Sequence, residues 1–338
     1  AGVNHNGSVE LALALVDAAR AAGADAVKFQ TFRAADVVTP QAVTADYQRS
    51  STGETNQFDM IRKLELDEAA HERIARHARQ VGIEFFSTPF SQDAVDMLVR
   101  LGVQRIKLPS GEVTNKPLLQ SAARTGLPLL LSSGMATLDE LQTAIRWIDE
   151  ARRAAGHAPV APDNLSLFHC TSAYPAPANA LNLRAIVTMA QATGLPVGYS
   201  DHSQGVEAAL AAVALGATAI EKHLTLDNAL PGPDHLASSN PEAFRRMVDG
   251  IRTVEQMLGD GIKRPQPVEL NTRDVARRSV VVVRDLRKGH RLAAGDLALR
   301  RPGTGIAPVD WDDVVGATLA HDVAAHTTLA WPMLVRKD

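Results

Sequence analysis

The chain has 338 residues, more than one ordinary hydrophobic core organises, so two domains are expected. A formal net charge of −3 is too small for bulk attraction to nucleic acid or to an anionic membrane, so an anionic ligand would need a local basic site. The single cysteine, Cys170, excludes an intrachain disulfide framework and fits a reducing, cytoplasmic setting; no run approaches the ~20 apolar residues of a membrane span, and no signal peptide is recognisable.

Along residues 1–258, apolar runs of strand length alternate with amphipathic, alanine-rich stretches of helix length. The opening AGVNHNG, without an initiator methionine, leads into a helix at about 8–22 before any strand. Then follow strand DAVKFQ (25–30), a helix at 67–81, strand IEFFST (83–88), a helix at 91–101 capped by Ser91 and strand RIKLPS (105–110). A helix at 115–125, strand LPLLLSS (127–133), a helix at 137–154, strand LSLFHC (165–170) and a helix at 182–193 come next. Strand PVGYSD (196–201), a helix at 203–215, strand TAIEKHL (218–224) and a helix at 241–258 complete the series. Strands that are apolar throughout are buried on both faces, which makes the sheet parallel. Seven strands against eight helices imply a further strand before Ala1, and eight βα units in roughly 250 residues make an α/β TIM barrel, (β/α)8. The expected division is a barrel over 1–262, a polar linker over 263–276, and a small turn-rich domain over 277–338. That last piece is near the lower limit for independent folding, so it is expected to pack on another surface.

Several strands end in chemically capable residues, and barrel active sites sit at that end. SDH (200–202) and EKH (221–223) place His202 and His223 at the ends of adjacent strands, which lie ~5 Å apart, so two neutral imidazoles could reach one divalent ion. Each could instead be a hydrogen-bonded histidine of a polar barrel mouth. Lys28, Thr88, Lys107, Ser110 and Ser132 end the neighbouring strands and could hold a phosphorylated carboxylate. The alternative is that the lysines are paired with Glu112 or Asp201. Glu112 could orient a lysine or move a proton, or be a helix-start carboxylate. Asp234 could accept from sugar hydroxyls, and Tyr174 could wall a ligand group. Cys170 reads as core packing.

GVNHNGS, KFQT, FFSTPF, KLPSGE, LSSGM, HCTSAYP, GYSDHS, ALGATAIEKHLTL, PGPDH and RRPGTGI occur in the order found in the sialic acid synthase family, which the whole chain resembles. The resemblance implies a (β/α)8 barrel followed by a small antifreeze-like (SAF) domain. It implies condensation of phosphoenolpyruvate with N-acetylmannosamine, giving N-acetylneuraminate and phosphate, with a divalent metal, Mn2+ or Mg2+. By motif, Lys28, Thr88, Lys107, Ser110 and Ser200 resemble the phosphoenolpyruvate contacts, and His202 and His223 the metal ligands. Gln30, Tyr174 and Asp234 resemble the sugar contacts, and Glu112 the catalytic-site glutamate. Arg301 resembles the arginine that one subunit of a domain-swapped homodimer delivers to the other. The family's strand-one glutamate would immediately precede Ala1. Ser172 stands where close sialic acid synthases often carry Asn, and GPDHLAS (232–238) is similar to members that make legionaminic acid from 2,4-diacetamido-2,4,6-trideoxymannose, which leaves that sugar open as an alternative. A metal-dependent aldolase and a sugar-binding protein that keeps the fold without catalysis are the remaining readings.

Overall fold

A computed structural model describes residues 1–45, 48–49 and 52–335, in two compact units, 1–259 and 260–338. In the first unit, seven parallel strands are found among the described residues. They are β1 (Ala26–Thr31), β2 (Glu84–Pro89), β3 (Ile106–Leu108), β4 (Leu129–Ser132), β5 (Leu165–Cys170), β6 (Val197–Asp201) and β7 (Ile220–Lys222). β1 pairs with β2, β3 to β7 pair in sequence order, and β2 lies beside β3, so the strands follow one another around a TIM-barrel-like α/β fold. Gly2 forms a parallel bridge with Phe29 at the free edge of β1, its N–H donating to Lys28 O at 3.0 Å. Between that edge and β7 runs a cavity of about 620 Å³, lined by Lys28, Glu221 and His223 at one end and by Ala24, Asp25 and Ala217 at the other.

Alternation along each strand decides what faces the helices and what faces the barrel axis. On β1, Val27, Phe29 and Thr31 are buried while Ala26, Lys28 and Gln30 are half-buried. The buried face joins one core with Leu15, Val16, Ile74, Leu98, Leu129 and Leu131. Burying a side chain of this size contributes about 1.5–3 kcal/mol. Phe168 fills the axis so tightly that a Cβ at Gly198, opposite it on β6, would stand 2.7 Å from its ring.

The helices start where the sequence provides caps. Asp67 accepts from Ala70 N at 2.8 Å to open α1 (Glu68–Val81), and Ser91 accepts from Ala94 N at 3.3 Å to open α2 (Gln92–Arg100), as expected of it. Two helices start later than periodicity predicts. The one expected from 182 begins at Ala185, because Asn182 takes a left-handed φ of 45°; the one expected from 203 begins at Glu207, because Gly205 (φ 78°) turns the chain first. The segment expected as a linker is not all irregular: it contains a helix over Leu270–Ala276.

In the second unit, β8 (Ser279–Val282) pairs antiparallel with β9 (Leu297–Arg300) over a small core of Val280, Val282, Leu292, Val314, Leu319 and Leu329. Asp296 is buried there and accepts from Arg284 at 2.6 and 2.9 Å and from Ala293 N at 2.9 Å, with His290 Nε2 2.8 Å away. These partners, the His290 contact foremost, hold its carboxyl well below the usual carboxylate range. No helix among the described residues is long and apolar enough to cross a membrane.

Candidate active site

At the strand ends, Ser200, Glu221, His202 and His223 turn into the barrel. Ser200 and Glu221 are partners in the β6–β7 register, and Ser200 Oγ donates to Glu221 Oε1 at 3.0 Å. Glu221 Oε1 is 3.8 Å from Lys28 Nζ, and Oε2 is 3.5 Å from Lys107 Nζ. Lys107 in turn donates to Ser132 Oγ and lies over the Phe168 ring, 5.2 Å from its centroid. Burial opposes ionisation of Glu221, but Lys107 and Lys28 outweigh it and hold the carboxyl below the usual range. The two lysines therefore share one half-buried carboxylate, which is Glu221 and neither Glu112 nor Asp201. Glu221 is a site residue that the sequence motifs do not single out; two lysines inside an apolar barrel demand a counter-charge, and Glu221 shares the inward face of β7 with His223.

His202 and His223 stand with ring centroids 5.7 Å apart, and the Tyr174 ring lies 4.2 Å from the first and 6.0 Å from the second. Burial lowers both imidazole pKa values, keeping the rings neutral. His202 Nδ1 is 2.7 Å from Thr171 O, so it carries the proton and Nε2 presents a lone pair, 3.3 Å from Ser200 Oγ. His223 Nδ1 is buried without a hydrogen-bond partner among the described residues; Asp234 Oδ2 is 3.6 Å away. A tautomer fixed from behind and an orphaned ring nitrogen fit a divalent cation. Among the described residues no group of three or more His, Cys, Asp or Glu side chains is placed to hold a metal ion.

The other candidates are placed as follows. Gln30 faces Thr88 in the β1–β2 register, and Thr88 Oγ1 is buried without a partner among the described residues. Ser110 Oγ is 3.2 Å from Ser172 Oγ, and Gly134 passes so close that a Cβ there would meet Ser110 Cβ at 2.2 Å. Gly134 also has φ +45°, so the approach needs glycine twice over. Asp234 is buried beside His223, and burial pushes its carboxyl up to about 6 against the opposing effect of Lys28. Glu112 accepts from Asn115 Nδ2 at 2.6 Å, next to the cap of the helix Lys116–Arg124. Arg301 is exposed on the second unit, directly after β9. Cys170 is buried, which pushes its thiol up, in keeping with a packing role.

The model of the NeuB family matches residues 15–263, and that of the SAF domain matches residues 277–335. The chain belongs to the NeuB family. It is therefore a phosphoenolpyruvate-dependent nonulosonic acid synthase with a C-terminal SAF domain, and the reading as a non-catalytic sugar-binding protein falls. It is 47% identical to an N,N'-diacetyllegionaminic acid synthase of Legionella pneumophila, over 98% of this chain and 92% of the relative. It is 41% identical to a protein of the same name from Campylobacter jejuni, over 94% and 93%. A solved N-acetylneuraminic acid (sialic acid) synthetase from Leptospira borgpetersenii is 32% identical, with a TM-score of 0.68 over 80% of this chain and 87% of that one.

Proposed function

We propose that this NeuB-family synthase condenses phosphoenolpyruvate with 2,4-diacetamido-2,4,6-trideoxymannose, giving N,N'-diacetyllegionaminate and phosphate. N-acetylmannosamine, which the motif resemblance put first, ranks second. The choice of sugar is supported by the 47% and 41% identity to two legionaminic acid synthases against 32% to the sialic acid synthetase. Ser172 and the GPDHLAS stretch agree with it.

One observation carries the site assignment: two lysines converge on one half-buried carboxylate beside two neutral imidazoles. Lys28 and Lys107, with Thr88, Ser110, Ser132 and Ser200, bind the phosphate and carboxylate of phosphoenolpyruvate, taking over the charge that Glu221 balances without it. Gln30, Tyr174 and Asp234 orient the open-chain sugar so that its aldehyde carbon meets the methylene carbon. The π electrons of the methylene form the new C–C bond, and the aldehyde oxygen takes up a proton. Water adds to the cationic C2 and gives up a proton. The tetrahedral intermediate then breaks its C–O bond to phosphate, its hydroxyl proton leaving with the phosphate as the 2-keto group forms. Lys28 and Lys107 hold the phosphate charge throughout, and Glu112, placed by Asn115, is the candidate for proton transfer. A divalent cation, Mn2+ or Mg2+, held by His202 and His223, would supply a Lewis acid for the aldehyde oxygen.

A cytoplasmic homodimer is part of this reading, with Arg301 of one chain serving the barrel of the other. Arg301→Ala should then raise the sugar KM more than the phosphoenolpyruvate KM; the reverse pattern would put Arg301 at the other substrate. The sugar is tested by phosphate release and product mass with each candidate in turn. The diacetamido sugar should give a kcat/KM higher by about 10,000-fold, as expected where a site is built to hydrogen-bond a polar substituent that the other sugar lacks. Equal or better turnover of N-acetylmannosamine would refute the assignment.

A further inference from the structure

Behind the inward residues lies a second polar group that the reaction does not use. Asp201 and Lys222 are the last registered pair of β6 and β7, and alternation turns both away from the barrel axis. Lys222 Nζ donates to Asp201 Oδ2 at 2.6 Å and to Ser203 O at 2.5 Å. Asp201 Oδ1 accepts from Ser203 N at 2.9 Å and from Ser203 Oγ at 2.6 Å, while Tyr199 Oη is 3.4 Å away. The two charged side chains are essentially sealed from solvent, at 1% and 0% exposure. Such a pair is a poor way to gain stability, because an apolar pair of similar volume often does as well. Its geometry gives it another use. Asp201 and Ser203 flank His202 on both sides, both are anchored on Lys222, and Lys222 immediately precedes His223.

We infer that Asp201, Lys222 and Ser203 form a positioning clamp that sets the separation of the His202 and His223 rings and so tunes the affinity of the site for a divalent cation. The inference rests on the metal reading given above. The three are positioning residues that act through the backbone segments carrying the imidazoles. Outer groups that orient metal ligands commonly govern affinity by about 10–100-fold.

The test is a Mn2+ titration of the full chain without substrates, following the free-ion paramagnetic resonance signal, for wild type, His202→Ala, Asp201→Asn, Lys222→Met, Ser203→Ala and the apolar double variant Asp201→Leu/Lys222→Met. Near-ultraviolet circular dichroism selects the variants that fold. The clamp predicts that the folded Asp201 and Lys222 variants bind Mn2+ about 10–100-fold more weakly, with Ser203→Ala weakened less. It also predicts that excess Mn2+ restores their kcat while the phosphoenolpyruvate KM stays near wild type. If the substitutions at 201 and 222 prevent folding, Ser203→Ala decides, and an affinity equal to wild type then overturns the clamp. Wild-type affinity in folded 201 or 222 variants, with His202→Ala inactive in binding, sinks the clamp and leaves the metal reading standing. Equal Mn2+ binding by wild type and His202→Ala, or none by either, sinks both.

Discussion

At the ends of β6 and β7, residues 200, 202, 221 and 223 turn into the barrel while 201 and 222 turn away, and the two sets differ in how fully their polar atoms are satisfied. On the outer side, Lys222 has two acceptors and Asp201 at least three donated bonds. On the inner side, two lysines share one carboxylate and His223 Nδ1 has no hydrogen-bond partner among the described residues; Thr88 Oγ1, on β2, is in the same position. Leaving a buried polar atom unpaired costs about 1–3 kcal/mol, a cost tolerated where a ligand completes the bonding. One alternation thus separates groups that bind from groups that hold the binding groups in place.

The largest effect is expected of His202→Ala, which should abolish Mn2+-dependent turnover, lowering kcat by about 1,000-fold or more if Lewis-acid stabilisation of several kcal/mol is lost. A variant that keeps metal-dependent activity would move the cation elsewhere. Next in size is Lys107→Met. It leaves Glu221 with half its counter-charge, so a stability loss of about 3 kcal/mol is expected by chemical denaturation, together with a raised phosphoenolpyruvate KM. Adding Glu221→Gln should recover much of the stability and none of the KM; no recovery would mean that the two side chains do not form one charge-balanced unit. Gly134→Ala comes third. Its Cβ would collide with Ser110 and require a left-handed backbone, so about 2 kcal/mol of destabilisation and weaker phosphoenolpyruvate binding are expected. A neutral result would show that the LSSGM turn adapts freely.

The smallest effect is in pH, and it contrasts the two units. Burial lowers His5 to about 3 and also lowers His71, so both stay neutral in the folded barrel below the pH at which they protonate when unfolded. The unfolded chain then binds more protons, and barrel stability should fall as pH drops below about 6.5. Asp296 is lowered as well, but from the carboxylate range, so its window lies further down in pH. Its stabilising contribution is present above the unfolded value and should be lost only below about pH 4. Hydrogen exchange at pH 7, 5 and 3, resolved by segment, should therefore show protection weakening first in residues 1–259. Simultaneous loss in both units at pH 5 would contradict this.

Most of this architecture could be read from the sequence because barrel strands are apolar on both faces and their helices carry side-chain caps. All seven strand candidates overlap an observed strand, though RIKLPS shrinks to Ile106–Leu108 as Pro109 leads into a turn, and TAIEKHL shrinks to Ile220–Lys222. The pairing of His202 with His223 followed from strand adjacency. Glu221 did not, because nothing in EKH says which residue faces two lysines 114 or more positions away; only the β6–β7 register fixes that. The clamp was hidden for the same reason: Asp201 and Ser203 look like active-site residues until alternation turns Asp201 outward.

On the proposed reading, the inward faces of these strands form one phosphoenolpyruvate and metal site. Anomalous diffraction at the manganese edge, from crystals grown with Mn2+ and phosphoenolpyruvate, tests it most directly. A manganese peak is expected between the His202 and His223 imidazoles, with the phosphate against Lys28 and Lys107. A manganese peak away from both histidines, or a phosphate that touches neither lysine, would contradict it.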